Sequence, residues 1–248
     1  MNKPSIVQCA AGLLLLAILG AGCATRSISS SGYRDRINYG GELNEMEVLG
    51  LSDQVSVGEA EIRQAMARSS QVQVPPAAPL AVVQSGAMFP DDPMVAALQA
   101  QHPVIPLSGV PSAGVRAAAS RPAPSASGEV SLHRAFRWAA AKAGAPATVV
   151  YWGVLESGVE DQLTKTISWV PIVGRLVPDQ SEWMRIRLKA VVIDTASGEW
   201  VLVAPPPLEA RRIAARINRE ATDQAMVNDL KARGYRDLAG RIQERCSI

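Results

Sequence analysis

The sequence contains none of the short motifs by which common enzyme classes are recognised. It has no Gly-x-Ser-x-Gly nucleophile elbow, no His-Glu-x-x-His zinc motif, no Cys-x-x-Cys pair and no phosphate loop ending in Gly-Lys-Ser or Gly-Lys-Thr. Its two histidines are His102, beside a proline, and His133, on the polar side of a predicted helix. We expect both on the surface, not as metal ligands or general bases. No catalytic residue, metal site or cofactor is predicted.

An excess of one charge is also missing. The 25 Lys and Arg residues nearly balance 23 Asp and Glu residues, for a formal net charge of +2, and the two signs are interspersed. A protein that binds nucleic acid by neutralising phosphates needs clustered positive charge, so nucleic acid is not a predicted partner. The apolar content of 48% is sufficient for a sizeable core.

Residues 1–22 have the pattern of an export signal. Lys3 supplies a short positive region, an apolar run follows from residue 6 to residue 21, and small residues precede Cys23. The run is too short, and too soon followed by polar sequence, for a convincing transmembrane helix. Leu19-Gly-Ala-Gly-Cys23 resembles the lipobox of bacterial lipoproteins, although Gly20 stands where a leucine or similar residue is usual. An ordinary secretory signal is the alternative.

The lipobox resemblance implies that Cys23 carries fatty acyl chains such as palmitate and becomes the mature amino terminus. Ala24 follows it where an aspartate would imply retention at the inner membrane, so the resemblance implies the periplasmic face of the outer membrane of a Gram-negative bacterium. Cys246 is then the remaining thiol of the mature chain. It predicts either an intermolecular disulfide or, more simply, an unpaired cysteine near the chain end.

We divide the chain into a signal peptide at 1–22, a lipid-anchored flexible tether at 23–55 and a periplasmic α/β domain at 56–248, with loops at 70–79 and 108–128. The domain's first part alternates short helices and strands. The predicted elements are a helix opened by a capping box at Ser56 to Glu59, a strand at 80–84, a helix capped by Asp92, an edge strand at 104–107 and a helix at about 131–143.

Three strands of one sheet are predicted between Ala147 and Pro205. Residues 148–155 are apolar on both faces, which suits a central strand, and residues 184–193 alternate apolar and basic side chains. Asp194 to Gly198 supplies a turn into a hairpin partner at 199–204. Helices are predicted at about 208–216 and 222–244. The fold class is therefore α/β: a small sandwich of a mixed sheet with helices packed on it, preceded by the signal peptide and tether.

The segment from Arg134 to Val203 is similar to curli-secretion-type lipoproteins and to the amino-terminal domain of the Tol translocation β-propeller protein. The matching positions are Ala143-Gly144, Gly153 and Asp194 to Gly198. The resemblance implies a small α/β sandwich that works in envelope assembly through protein contacts, sometimes as rings. The wider sequence, with its Ser-Gly-Tyr opening and its insert at 164–179, also resembles a group of proteobacterial lipoproteins.

The strongest candidate contact segment is Thr166 to Pro178, an apolar run with one charge that Pro171, Gly174 and Pro178 interrupt. It is either packed under the sheet or exposed as a finger that touches a partner or the bilayer surface. The side chains that would make this contact are Trp169, Ile172, Val173 and Leu176.

Three weaker candidates have simple structural explanations. Asp91 and Asp92 could hold a hard cation but are accounted for by a helix cap. Glu156, Glu160 and Asp161 are expected just after the central strand, where open sheets often bind ligands, although such residues are usually only solvated. A basic stripe on the next strand could face anionic lipids or glycans and is more simply a solvated face; it consists of Arg185, Arg187 and Lys189.

We interpret the chain as a non-enzymatic, lipid-anchored envelope protein that acts as an adaptor or assembly factor by binding another envelope protein. A ring-forming export component, which would be a homo-oligomer, is the first alternative. An envelope hydrolase with a site near Glu156 to Asp161 is the second.

Overall fold

A computed structural model describes residues 24–30, 41–52, 57–67, 72–111, 131–161, 180–213 and 219–246. Within these ranges the chain forms seven strands and five α-helices. In chain order they are β1 (Ala24–Ser27), α1 (Glu45–Val48), α2 (Glu59–Ala67), β2 (Leu80–Gln84), α3 (Asp92–Gln99), β3 (Val104–Leu107), α4 (Leu132–Lys142), β4 (Ala147–Asp161), β5 (Gln180–Asp194), β6 (Trp200–Val203), β7 (Leu208–Ile213) and α5 (Arg219–Cys246).

The strands form one mixed sheet, which confirms the predicted α/β class. Its order is β3-β2-β4-β5-β6, with β1 also paired to β4 and β7 also paired to β5. β4 and β5 are 15 residues each and pair antiparallel along their whole length, so they form a long central ribbon. β2 is parallel to both β3 and β4, and Pro106 lies on the edge strand β3, as predicted.

Different strands flank the two halves of this ribbon. We call residues 147–153 and 188–194 the proximal half, because β2 pairs with Ala147 to Tyr151 and β6 pairs with Ala190 to Ile193. We call residues 154–161 and 180–187 the distal half, where β1 pairs with Val154 to Ser157 and β7 pairs with Ser181 to Ile186. The two halves of the ribbon thus belong to one sheet but have different neighbouring strands.

Helices cover both faces of the proximal half. Successive strand residues point to opposite faces, so the residues that pack against α3 and α5 alternate with those that pack against α1 and α4. Val149 and Tyr151 lie in the core cluster that contains Met94 of α3 and Leu230 of α5. On the other face, the cluster contains Val150, Trp152, Val191 and Ile193 of the ribbon with Val48 and Phe136. The central strand is thus buried on two sides, as its apolar sequence predicts.

Three glycines lie where a turn, a helix end or a close contact favours a residue without a side chain. Gly198 has φ +78° in the turn between β5 and β6, where the Asp194 carboxylate accepts a hydrogen bond from the Ser197 amide at 2.6 Å. A Cβ on Gly153 would lie 2.5 Å from Cδ2 of Leu188, so the paired strand β5 approaches this residue closely. Gly144 follows α4 with φ +74°, a conformation that glycine readily adopts at the end of a helix.

The predicted helix at about 208–216 is wrong, because Leu208 to Ile213 is strand β7. Leu208 and Ala210 are partly buried against the core while Glu209 and Arg211 are exposed, which is the two-residue period of a strand. The three prolines before it end β6 but leave the chain extended, and it returns along β5.

Other boundaries move by a few residues. β4 continues to Asp161, so Glu156, Glu160 and Asp161 lie within a strand rather than after it. The cap of α3 is Asp91 instead of Asp92, which is the first helical residue. At α2 it is Glu61, not Glu59, that reaches back, and it accepts a hydrogen bond from the Gly58 amide at 2.9 Å.

The predicted helix at 222–244 is confirmed and is longer, from Arg219 to Cys246. Its apolar residues Val227, Leu230, Leu238 and Ile242 are buried against the sheet. Among the helices that the structure describes, none has the length and apolar content needed to cross a bilayer.

Candidate functional site

The predicted lipidation site and the predicted contact segment lie outside the described residues. This applies to Cys23 and to Trp169, Ile172, Val173 and Leu176. The structure does describe their immediate chain neighbours. β1 begins at Ala24, directly after Cys23. β4 ends at Asp161 and β5 begins at Gln180, so the chain between them is the segment 162–179.

Both histidines are buried, so the prediction that they lie on the surface is wrong. His102 follows α3, and its ring nitrogens lie 3.0 Å from the Ala78 carbonyl and 2.8 Å from Oε1 of Gln243 on α5. Nδ1 of His133 lies 2.9 Å from the Val48 carbonyl. A polar ring at the edge of a helix's apolar face can be buried by another segment of the chain. Here α1 covers His133. Each ring links two parts of the fold.

The basic stripe of β5 is paired with carboxylates rather than left to solvent. Arg185 forms a salt bridge with Glu156 and a second, at 3.5 Å, with Glu209 of β7. Arg187 reaches the other oxygen of Glu156 at 3.2 Å, and Lys189 lies 2.5 Å from Glu45 of α1. Glu156 of β4 therefore pairs with two arginines of the neighbouring strand β5 and is engaged in ion pairs within the sheet.

A second cluster of charged groups joins α3 to α5. Nζ of Lys231 lies 2.7 Å from Oδ2 of Asp91, and the Tyr235 hydroxyl donates to the same oxygen at 2.6 Å. Lys231 also donates to the Ile28 carbonyl at 2.9 Å. Lys231 and Tyr235 are one helical turn apart and so share a face of α5. Asp91, predicted only as a helix cap or cation ligand, is instead the acceptor at the centre of this cluster.

The cluster continues into the end of β2. The Tyr151 hydroxyl donates to Oε1 of Gln84 at 2.6 Å, and the Asp91 amide donates to the same oxygen at 2.7 Å. Nε2 of Gln84 donates to the Ser29 hydroxyl at 3.0 Å, which in turn donates to the Ser85 carbonyl at 2.5 Å. The residues that follow β1 are thus held by side chains from β2 and α5.

Burial determines what this cluster can do chemically. It raises the pKa of both Tyr151 and Tyr235 well above the usual tyrosine value, and the negative charge of Asp91 adds to the effect. Neither phenol will act as a base or nucleophile near neutral pH. The cluster is a set of satisfied buried polar groups that fixes one arrangement of β1, α3 and α5.

The loop between β2 and α3 exposes large apolar side chains on a rigid base. Met88 is 66% exposed and Phe89 is 68% exposed. The Gly86 amide donates to the Gly109 carbonyl at 2.9 Å, and the Gly109 amide donates to the Ala87 carbonyl at 2.8 Å. A Cβ on Gly109 would lie 1.9 Å from the Gln84 carbonyl oxygen, so the two loops meet at a distance that only glycine allows.

One face of the distal half is not covered by a helix among the described residues. Met184 and Ile186 point to the α5 face, so Trp183, Arg185 and Arg187 point to the opposite one. The Trp183 ring packs against Gly158, where a Cβ would lie 2.8 Å from it, and the Arg185 guanidinium is 5.7 Å from the ring centroid. We call this surface the open face; it consists of Trp183, Arg185, Arg187, Glu156 and Glu209.

The described part of the chain has a small depression between α3 and α5 but no cluster of metal-ligating side chains. No group of three or more His, Cys, Asp or Glu side chains there is arranged to hold a metal ion. A depression between α3 and α5 at His102 has a volume of about 10 Å³, on the order of one water molecule.

The sequence profile of a family described as "YafT bacterial lipoprotein" matches residues 44–245. No curated protein matches the chain. Among solved structures, a hypothetical protein, CT253 from Chlamydia trachomatis, is similar over 68% of this chain and 96% of its own, at 15% identity and a TM-score of 0.29.

Proposed function

The chain belongs to the YafT bacterial lipoprotein family, and from that premise we propose that it is a non-enzymatic adaptor or assembly factor of the cell envelope. In this proposal fatty acyl chains on Cys23 hold it at the periplasmic face of the outer membrane. The α/β domain binds another envelope protein. The proposal keeps the apolar segment with Trp169, Ile172, Val173 and Leu176 as a contact for the partner or the membrane.

The observation that carries the adaptor role is the rigid loop with Met88 and Phe89. Large apolar side chains that remain two-thirds exposed on a fixed backbone are typical of protein contact sites, because little conformational entropy is lost when they are covered. Several polar side chains in the domain support the proposed non-enzymatic role, because their contacts are structural. His102, His133, Asp91, Lys231 and Glu156 all form bonds that hold segments together.

The test is purification from membranes after mild cross-linking. We expect the wild type to recover one reproducible envelope protein and a Met88→Asp/Phe89→Asp variant to recover at least about tenfold less of it, because a charge in the contact cannot be desolvated. Leu202→Asp is the matched control, since Leu202 is 47% exposed on β6 and lies in another part of the sheet. Equal recovery by all three proteins would contradict a contact at this loop.

The contact segment has its own variant, Trp169→Asp/Ile172→Asp. Loss of the partner with an unchanged melting temperature supports it as a contact, whereas unfolding would assign it to the core.

The resemblance to curli-secretion-type lipoproteins and to the Tol protein domain motivates a second candidate, a ring-forming export component. Recovery of only self-cross-linked species in the same experiment would favour that candidate over the adaptor.

A further inference from the structure

The lipid anchor is attached to the ribbon through β1 with no intervening linker. Ala24 pairs with Ser157 in the distal half, and Cys23 is the next residue along the chain. Consecutive Cα atoms are about 3.8 Å apart, so acyl chains on Cys23 hold this part of the sheet at the membrane surface. A domain attached in this way has little freedom to turn a different part of its surface toward the membrane.

The ribbon extends past its attachment point. β4 continues from Ser157 to Asp161, and β5 begins opposite at Gln180. At about 3.3 Å per residue the ribbon projects about 13 Å beyond the level of Ala24. This end of the sheet must therefore lie along the bilayer surface or point into it.

The two faces of the distal half differ in what they can offer to a bilayer. One face is packed against α5, which contributes Val227, Leu230 and Tyr235 to the same core as Ile186. The open face instead presents Trp183 beside arginine side chains. Tryptophan prefers the boundary between hydrocarbon and headgroups, and a guanidinium binds phosphate oxygens in a bidentate manner.

We propose that the open face lies on the bilayer, with the phosphate groups of phospholipid headgroups as its ligands. The inference rests on the anchor at Cys23 that is part of the proposed function. Glu156 and Glu209 offset the charges of Arg185 and Arg187, so the face suits a mixed zwitterionic and anionic surface instead of a purely anionic one. Contact is maintained by the anchor's position and by Trp183, with charge as a smaller contribution.

The test measures which face of the mature, lipidated protein is close to lipid. Single cysteines replace Glu209 on the open face, Asn228 on the exposed side of α5 and Ser197 in the turn at the proximal end, and each carries an environment-sensitive fluorophore. Vesicles contain phosphatidylethanolamine and phosphatidylglycerol with a fraction of headgroup-nitroxide lipid. We expect quenching at position 209 to exceed quenching at 228 and 197 at least about threefold.

A pair of tryptophan variants tests whether the face itself makes the contact. Trp183→Ala should reduce quenching at position 209 at least about twofold, while Trp138→Ala should leave it unchanged. Trp138 is the control because it also has a cation, Lys142, 5.7 Å from its ring centroid, although Trp138 is exposed whereas Trp183 is half-buried. The three labelled positions sample both faces of the distal half and the proximal end of the sheet.

Failure of the anchor and failure of the orientation are distinguishable. If the wild type does not sediment with vesicles, or sediments no better than Cys23→Ala, the anchoring proposal and this inference are overturned together. If it sediments only with Cys23 present but quenching at the three positions is equal, or greatest at 228, the orientation alone is overturned.

Discussion

A single ammonium group joins three segments that are far apart in the sequence. Lys231 of α5 contacts the Asp91 carboxylate before α3 and the Ile28 carbonyl after β1, which is 203 residues away. Its side chain is only 11% exposed, so its charge is stabilised by these partners more than by water. The group thereby fixes the position of residues that follow Cys23.

We predict that Lys231→Met lowers the free energy of unfolding by about 3 kcal/mol, because it leaves the Asp91 carboxylate without its cation in a largely buried site. Methionine keeps most of the apolar volume. Urea titration of both proteins measures the difference. The matched control is Arg241→Met, which breaks a surface pair with Asp237 one turn away and should cost less than about 0.5 kcal/mol. Equal losses would mean that the buried pair contributes no more than a surface pair.

Buried acids make the protein sensitive to alkali. Burial raises the pKa of Cys246 from near 9 to about 11, although neighbouring Arg245 lowers it, and burial also raises the pKa values of Tyr151 and Tyr235. The unfolded chain releases these protons at lower pH than the folded chain does. Stability that is fully present below pH 9 is therefore lost as the pH rises from 9 to 11 and beyond.

The contribution of Cys246 is separable from that of the tyrosines. We predict that Cys246→Ala, although less stable overall, loses stability less steeply between pH 9 and pH 11 than the wild type, as measured by thermal melts at several pH values. An unchanged slope would mean that the thiol titrates normally. Since Cys246 is buried in the folded chain, thiol reagents at neutral pH should modify it only after unfolding.

At the scale of elements, the ribbon needs a residue without a side chain at Gly153. A methyl group there would lie 2.5 Å from Leu188, 3.0 Å from Ile28 and 3.1 Å from the Arg187 carbonyl. We predict that Gly153→Ala destabilises the protein by about 2 kcal/mol, since β1's following turn, β4 and β5 meet at this point. The loss is measured by thermal or urea unfolding.

Gly240→Ala is the control for that substitution. Gly240 is exposed on α5, and nothing lies within 4 Å of where its Cβ would be. Alanine is the better helix former, so this change should stabilise the protein by about 0.5–1 kcal/mol. If both substitutions had the same sign, the close packing at Gly153 would not be the cause of its effect.

The elements that the sequence predicts correctly are those with strong local signals. β2 has the predicted bounds, the turn at Gly198 follows from turn chemistry, and α5 follows from apolar residues at helical spacing. The sequence predicts a helix where β7 lies, because these six residues follow three prolines and contain an Ala-Arg-Arg stretch that also suits a helix. The segment is a strand because it pairs with β5, and pairing between distant segments is not a property of the local sequence.

The buried polar contacts were not predictable from local sequence for a similar reason. A helix places His133 on its flank, but only the docking of α1 buries it. Lys231 lies between Val227 and Tyr235 at helical spacing, and a charge inside such an apolar stripe was the one available signal. Its partners Asp91 and Ile28 could not be identified without the tertiary fold.

At the scale of the whole molecule, the two halves of the ribbon have different surroundings. The proximal half is covered by helices on both faces and supplies most of the core. The distal half is covered by α5 on one face and receives β1, the strand that begins one residue after Cys23. Within the predicted tether at 23–55, the structure thus describes two ordered stretches, 24–30 and 41–52. The first of them joins Cys23, the proposed lipidation site, directly to the domain.

The most direct test of this connection is hydrogen exchange of the mature lipidated protein, followed by mass spectrometry of the peptide that contains Thr25 to Ser29. We predict that its amides paired with β4 exchange at least about 100-fold more slowly than in an unstructured peptide, because opening them requires β1 to leave the sheet. Gly153→Ala, which crowds Ile28, should speed this exchange. Exchange of the wild-type peptide at the unstructured rate would contradict this direct connection, since Cys23 would then be joined to the domain by a flexible tether.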